Sequence, residues 1–433
     1  MKGARGSGAP VSDPASRGGH AGSETGAPNF GHSPAVIAFW KRLAREALKQ
    51  GATTPCYVFS AQPVVESLAH LEALDFGRPA VHWLSTKTQP LPSLLRWWRG
   101  QGRPAEVVSE LEYRLVREAG FDPEGILVNG PAKHRWLPAV SAPGLRVNFD
   151  SARELNELLP LAKRDRWRVG LRLCTAEEFD PETPQFPTQF GFTPEEAMVA
   201  ARRLKRAGLE VETLHFHLRT NVAEAGCYAR ALDEVASFAT AAGLAPRFLD
   251  LGGGLPPRHA LSRGGNRLDA GFSLKKFALA VRQAVKKFPS VEQVWLENGR
   301  FVTAGSGVLV VRVLDVKARR GLRQLICDGG RTLNALVSMW EQHELLPLAQ
   351  RTGAEVLTAV HGPTCMAFDQ FARKPLPASI RAGDCLLWFD AGAYHLPWET
   401  RFSHGLSEIW WHEGGPTAGH LARVRAAERF ERS

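Results

Sequence analysis

The chain has 433 residues, 44% hydrophobic and 23% charged, a balance ordinary for a soluble globular protein and a length too great for one small core. No apolar run approaches the roughly 20 residues a membrane helix needs, so no membrane partner is expected. The net charge of +10 falls on helix-like segments such as KRLAREALK and ARRLKRAGL, where basic residues mix with alanine and leucine. This reads as solvated helix faces and not as a nucleic-acid surface, because no module combining basic and aromatic residues accompanies it.

In chain order, residues 1–34 are rich in Gly, Ser, Ala and Pro and lack the apolar centre of a secretory signal, so a disordered tail is expected. Residues 35–59 follow as an N-terminal segment whose strand-like TPCYVFS (54–60) is expected to pair with a later β-domain. Eight β-rich runs come next: VHWLST at 81, AEVVS at 105, GILVNG at 125, LRVNFD at 145, VGLRLC at 169, TLHFHL at 213, RFLDLGGG at 247 and QVWLENGR at 293. Amphipathic stretches such as SARELNELLPLAKR and TPEEAMVAARRLKRAGL separate them, with Ser or Thr at plausible N-caps. Eight alternations predict a (β/α)8 barrel over residues 60–300. From residue 301 to 433 the pattern changes to strands separated by turns, which predicts a C-terminal all-β domain. The cysteines at 56, 174, 227, 327, 365 and 385 show no C-x-x-C spacing and several lie in apolar runs, as expected of free thiols in a reducing cytoplasm.

A barrel of this kind places its site at the C-terminal ends of the strands. There the sequence offers Lys87, Glu106 with Ser109, Asn129, Asp150, Arg172, His215 with His217, Gly252, Gly253 and Gly254, and Glu297 with Arg300. A lysine at the mouth of a buried strand must either carry its ammonium to water or have a chemical use. The apolar wall around VHWLS is expected to depress its pKa. Three consecutive glycines suit either a phosphate or a tight turn. The alternate histidines of LHFHL could ligate a metal in a barrel hydrolase, lie over a planar cofactor, or be satisfied core imidazoles. A hydrolase pair would be expected on the first strand, so no metal is assigned.

From about residue 52 to about residue 411 these motifs resemble the fold-type III pyridoxal-phosphate decarboxylases, which include the ornithine and diaminopimelate decarboxylases and share an alanine-racemase-type barrel. VHWLSTKTQP resembles the family's Schiff-base lysine motif, which makes Lys87 the covalent anchor of pyridoxal 5'-phosphate. Glu106 and Glu112 match its two acids, 19 and 25 residues on. HFHLRTN resembles His-x-Gly-Ser, placing His217 against the cofactor ring and Thr220 at the phosphate, with Arg172 also among the cofactor ligands. LENGR resembles Glu-Pro-Gly-Arg, giving Glu297 to the pyridine nitrogen and Gly299 and Arg300 to the phosphate. GPTCMAFD and DAGAY resemble the β-domain motifs, which imply Cys365 as a proton donor to a partner subunit's site and Tyr394 as a phosphate ligand.

The resemblance implies a cytoplasmic homodimer with shared active sites that decarboxylates an amino acid at Cα. A racemase of the same fold and a non-catalytic homologue that binds a partner are the alternatives, and the acidic Glu297 favours decarboxylation. Departures from the family pattern are Arg219 for glycine, Asn298 for proline and Met366 for an acid. Met366 suggests a substrate without a free distal ammonium, unless Asp369 or Glu341 supplies the missing carboxylate.

Overall fold

The structure, a computed structural model, describes residues 31–178, 188–334, 337–414 and 420–424. The expected N-terminal tail lies outside them up to residue 30. Its last residues belong to the fold instead: the His32 side chain bonds to Glu344, and Ser33 caps the first helix, α1 (Pro34–Lys49), through Val36 N–H at 3.3 Å. Pro34 at the first helical position adds a residue preset for helix entry.

Strand β1 (Cys56–Ser60) is buried along its whole length. The chain then winds the barrel through β2 (Ala80–Ser85), β3 (Ala105–Val107), β4 (Ile126–Val128), β5 (Arg146–Phe149), β6 (Arg168–Arg172), β7 (Val211–His215) and β8 (Phe248–Asp250). A short β9 (Leu261–Ser262) precedes β10 (Gln293–Asn298), which closes the barrel by pairing in parallel with both β8 and β2. All eight runs read from the sequence are barrel strands. Side-chain caps mark several helix entries: Ser109 and Ser151, just after β3 and β5, accept from Glu112 N–H and Glu154 N–H, and Thr193 with Glu196 forms a capping box. Ser109, singled out as a polar strand end, is therefore engaged as a helix cap.

After the barrel, β11 (Gly307–Arg319), β12 (Leu322–Cys327), β13 (Glu341–Gln342), β14 (Leu345–Pro347), β15 (Glu355–His361), β16 (Gln370–Pro377), β17 (Cys385–Trp388), β18 (Glu408–His412) and β19 (Leu421–Arg423) follow. The main sheet runs β16-β15-β12-β11-β1-β18-β19, so β1 lies inside it, antiparallel to β11 and parallel to β18. That is the pairing expected of TPCYVFS. One apolar core continues from the barrel into the sheet, joining Leu84, Leu171 and Val294 to Phe59, Val311 and Trp388. A second core seats Trp40, Leu43 and Ala47 of α1 on Val58, Val310 and Trp410 of the sheet. The small sheet β9–β13 ties the barrel loop after β8 to the β-domain. It thereby fixes one wall above the strand ends.

Candidate active site

Lys87 lies in a 3-10 turn that directly follows β2. Its ammonium donates to Ser85 Oγ at 2.7 Å and to Glu106 Oε2 at 2.9 Å, while Ser85 Oγ donates to the same Glu106 oxygen at 2.6 Å. Burial acts to lower the lysine pKa. Glu106 outweighs it, helped by Glu297, Tyr394 and Glu112, and holds the ammonium above its ordinary value. The expected depression by an apolar wall is thus corrected. The period of two along β2 turns Trp83 and Ser85 into the barrel, and β3 sets Glu106 opposite Ser85. Glu112 accepts Val108 N–H at 2.9 Å, and burial together with Glu106 pushes its carboxyl up to about 7.

A buried polar network crosses the barrel above its aromatic floor of Trp83, Phe248 and Trp295. Asn129 Nδ2 donates to Glu297 Oε1 at 2.5 Å, and Asn148 Nδ2 donates to Asn129 Oδ1 at 2.9 Å and to Asp250 Oδ2 at 3.3 Å. His215 Nε2 and His217 Nδ1 approach the two Glu297 oxygens at 3.2 and 3.5 Å. Burial would raise the Glu297 pKa, but His215, His217 and the Lys87 ammonium outweigh it and hold the carboxyl below its usual range. His215 is pushed down to about 4 by burial, so it faces Glu297 as a neutral ring with its Nε2 3.2 Å from the carboxylate. Burial, then the Glu297 charge, raises Asp250. Glu297, Asp250 and His215 each place a donor atom within 4.8 Å of the others, a spacing that a cation could share. Their oxygens, however, already accept from Asn129, Asn148 and Gly252.

The glycine triplet closes the opposite side. A Cβ on Gly252 would lie 2.7 Å from His217 Nδ1, one on Gly253 2.8 Å from Glu297 O, and one on Gly254 2.7 Å from Arg219 O. Gly252 and Gly254 also have φ of +63° and +94°, which favour glycine. Two of the three N–H groups expected to face an anion are engaged elsewhere: Gly252 donates to Asp250 Oδ1 at 3.1 Å and Gly253 to His217 Nδ1 at 3.0 Å. Gly254 N–H makes no hydrogen bond among the described residues. Gly299 packs on the Lys87 turn, 2.9 Å from Thr88 Cγ2 to its would-be Cβ. Arg300 bonds Glu341 and lies over the Tyr394 ring at 4.7 Å, leaving its Nε buried without a partner. Tyr394 is anchored by its N–H to Thr88 O at 2.8 Å.

These residues fit a phosphorylated pyridine aldehyde: an amine at the strand end, an ionised carboxylate beside an imidazole, and a glycine cradle with an uncommitted N–H and guanidinium Nε. Arg172 is held by Glu178 at 2.8 Å, stacks on Phe190, and has its Nε 3.9 Å from Asp150 Oδ1. Thr220 is exposed, beside Arg219, whose carbonyl abuts Gly254. Cys365 is exposed and Met366 half-buried in the β15–β16 loop. Asp369 is engaged in holding that loop: it accepts from Arg331 N–H at 2.7 Å and from Thr364 Oγ1 at 2.6 Å. Glu341 is bound to Arg300 and to His343. Both carboxylates are thus engaged within the chain. Ser85 and Asp250 were not anticipated as site residues, although alternation along β2 would have placed Ser85 inside.

Fold and strand-end chemistry together define a barrel enzyme of the pyridoxal-phosphate class. Residues 65–304 match the family described as pyridoxal-dependent decarboxylase, pyridoxal binding domain. Diaminopimelate decarboxylase of Deinococcus radiodurans is 30% identical over 359 residues, covering 81% of this chain and 89% of the relative. The enzyme of the same name from Actinosynnema pretiosum is 30% identical over 357 residues, covering 79% and 80%. Among solved structures, diaminopimelate decarboxylase from Helicobacter pylori complexed with L-lysine superposes with a TM-score of 0.74 at 21% identity, over 88% of this chain and 96% of the other. Lysine/ornithine decarboxylase from Vibrio vulnificus complexed with putrescine gives 0.71 at 21%, over 85% and 96%. The chain belongs to the pyridoxal-dependent decarboxylase family. Its cofactor is pyridoxal 5'-phosphate and its reaction the decarboxylation of an amino acid.

Proposed function

We propose that this enzyme removes the Cα carboxylate of an amino acid whose far end carries no free ammonium, using Lys87 as the cofactor's anchor in a site shared between two copies of the chain. The observation that carries the reading is the Lys87 ammonium held between Ser85 and Glu106 at the barrel rim. When bound, pyridoxal 5'-phosphate supplies an electron sink for the charge left at Cα as carbon dioxide departs. The protein's own groups do the rest. Glu106, 2.9 Å from the lysine nitrogen, holds and orients the ammonium, which must shed a proton before its nitrogen can act as a nucleophile. Glu297, kept ionised and oriented by Asn129, favours a proton on the pyridine nitrogen, and His217 covers the ring. Gly254, Arg300, Tyr394 and Thr220 would hold the phosphate, with Gly299 letting the Arg300 turn approach Lys87. Arg172 steadies the β6 end through Glu178.

Cys365 returns a proton to Cα from the partner's β15–β16 loop. A second copy is favoured by exposed apolar side chains in this region: Phe368 in the same loop, and Trp340, which packs on Trp398 and through it on Tyr394. Both the Deinococcus and Actinosynnema relatives bear the name diaminopimelate decarboxylase, a substrate with a distal ammonium. The specificity proposed here differs because Met366 cannot pair with an ammonium and the carboxylates nearest in sequence are engaged. A flexible thioether suits an acylated, conjugated or otherwise neutral side chain.

Two arms test the proposal. Borohydride reduction of the holoenzyme followed by peptide mass spectrometry should place the pyridoxyl label on Lys87, and a label on another lysine ends the assignment. In parallel, kcat/KM is compared for L-ornithine, L-lysine, meso-diaminopimelate and their N-acylated or neutral analogues. Neutral analogues should lead by about a hundredfold or more, the order expected when a buried charge loses its partner. A clear win for a free diamino acid overturns the Met366 argument and leaves the lysine assignment standing.

A further inference from the structure

Two segments of the β-domain orient Arg300, and both are gripped by one residue from the far N-terminus. Glu341 binds the guanidinium of Arg300, and Tyr394 presents its ring face to it at 4.7 Å. Three residues after Glu341 comes Glu344; four before Tyr394 comes Asp390. His32 joins these two. Its backbone N–H donates to Glu344 Oε2 at 2.9 Å, its Nδ1 lies 2.6 Å from the same oxygen, and its Nε2 lies 3.2 Å from Asp390 Oδ2. The imidazole is 5% exposed, packed against Phe389 at 4.8 Å and against His259 of the barrel loop at 4.7 Å. Inside the same joint, His343 links Glu341 to the Phe389 carbonyl, each at 2.9 Å.

We infer that His32 is a positioning residue for the phosphate end of the cofactor site: by bridging Glu344 and Asp390 it locks the two segments that aim Arg300. The inference rests on the assignment of Arg300 and Tyr394 to the phosphate. Removing the imidazole leaves two enclosed carboxylates facing each other without their shared cation. Such a pair is relieved only by taking up a proton or by moving apart. Movement at Glu344 and Asp390 is transmitted over one turn of chain to Glu341 and Tyr394, so the guanidinium loses both its ion-pair partner and its ring. The lysine end of the site hangs chiefly on β2 and β3 and meets this joint through the Tyr394 N–H bond to Thr88 O at 2.8 Å.

That asymmetry supplies the test. Full-length wild type, His32→Ala and His32→Arg are stripped of cofactor and titrated with pyridoxal 5'-phosphate and with pyridoxal, which lacks the phosphate, following the change in cofactor absorbance. Wild type should prefer the phosphorylated form. His32→Ala should narrow that preference by at least about fivefold while changing pyridoxal affinity by less than about twofold, and His32→Arg, which can span both acids, should restore most of it. Equal weakening toward both ligands, or an unchanged preference, would mean that His32 serves the general fold alone and overturns the inference. If His32→Ala does not fold, Glu344→Gln, which keeps His32 and removes one charge of the bridge, is judged by the same ratio. Wild type showing no preference for the phosphate would instead refute the placement of the phosphate at Arg300.

Discussion

Gly253 shows how little freedom the site has at the level of single atoms. A methyl group there would meet Glu297 O at 2.8 Å and His217 Cε1 at 3.4 Å, so either the strand end carrying Glu297 or the imidazole must shift. Overpacking of this kind costs about 1–3 kcal/mol. Because the strain falls on groups proposed to contact the cofactor, Gly253→Ala should weaken pyridoxal 5'-phosphate binding by about tenfold or more, measured by titration of cofactor-free enzyme. Gly264→Ala, whose nearest neighbour is 3.8 Å away, should bind as wild type does; equal binding by both variants would remove the cradle argument. The triplet itself was readable in the sequence, and so was Lys87. What stayed hidden was the destination of each proton. Gly252 and Gly253 N–H groups turn to Asp250 and His217, and the lysine is ringed by acids, because those partners come from neighbouring strands whose register no linear pattern states.

At the scale of elements, the eight barrel strands were legible because each is a short apolar or alternating run, and four of them are followed by a helix entered through a Ser or Thr cap. The β9–β13 pairing was not, since two residues on each side leave no periodicity to read, yet it fixes the wall that carries Glu341. The β15–β16 loop is the element with most at stake. Its carboxylate, Asp369, is turned inward to hold the loop's own backbone, which leaves Cys365 facing outward. If that thiol completes the site of a second copy, a Lys87→Ala chain and a Cys365→Ala chain carry complementary defects. Each is inactive alone. Random exchange puts both defects into one of the two sites of a mixed dimer and leaves the other intact, so an equimolar mixture should recover about a quarter of wild-type turnover. Mass-labelled chains verify exchange; full exchange without recovery would place Cys365 outside the partner's site.

Across the whole molecule, buried histidines set the acid limit. His395 donates from Nδ1 to Ala393 O at 3.0 Å and accepts from Trp388 Nε1 at 3.1 Å, a pairing that needs the neutral ring. Burial, then the neighbouring His343, pushes its pKa down to about 3, and burial pushes His215 to about 4. Unfolded, both return to near 6.5. Between pH 6.5 and 4 these two rings therefore bind more protons in the unfolded chain than in the folded one, and their contribution to stability falls as pH falls through this window. Glu112 acts in the opposite sense: its folded value of about 7 against 4.5 means that acid favours the folded form there. His395 can be separated from the others by substitution. His395→Gln keeps an acceptor for Trp388 and cannot take up a proton, so it should lose less stability than wild type between pH 6.5 and 4, by about 1–3 kcal/mol. Urea unfolding at a series of pH values, with saturating cofactor, reads this directly. Parallel pH profiles for the two proteins would show that the buried ring at 395 does not govern the acid limit.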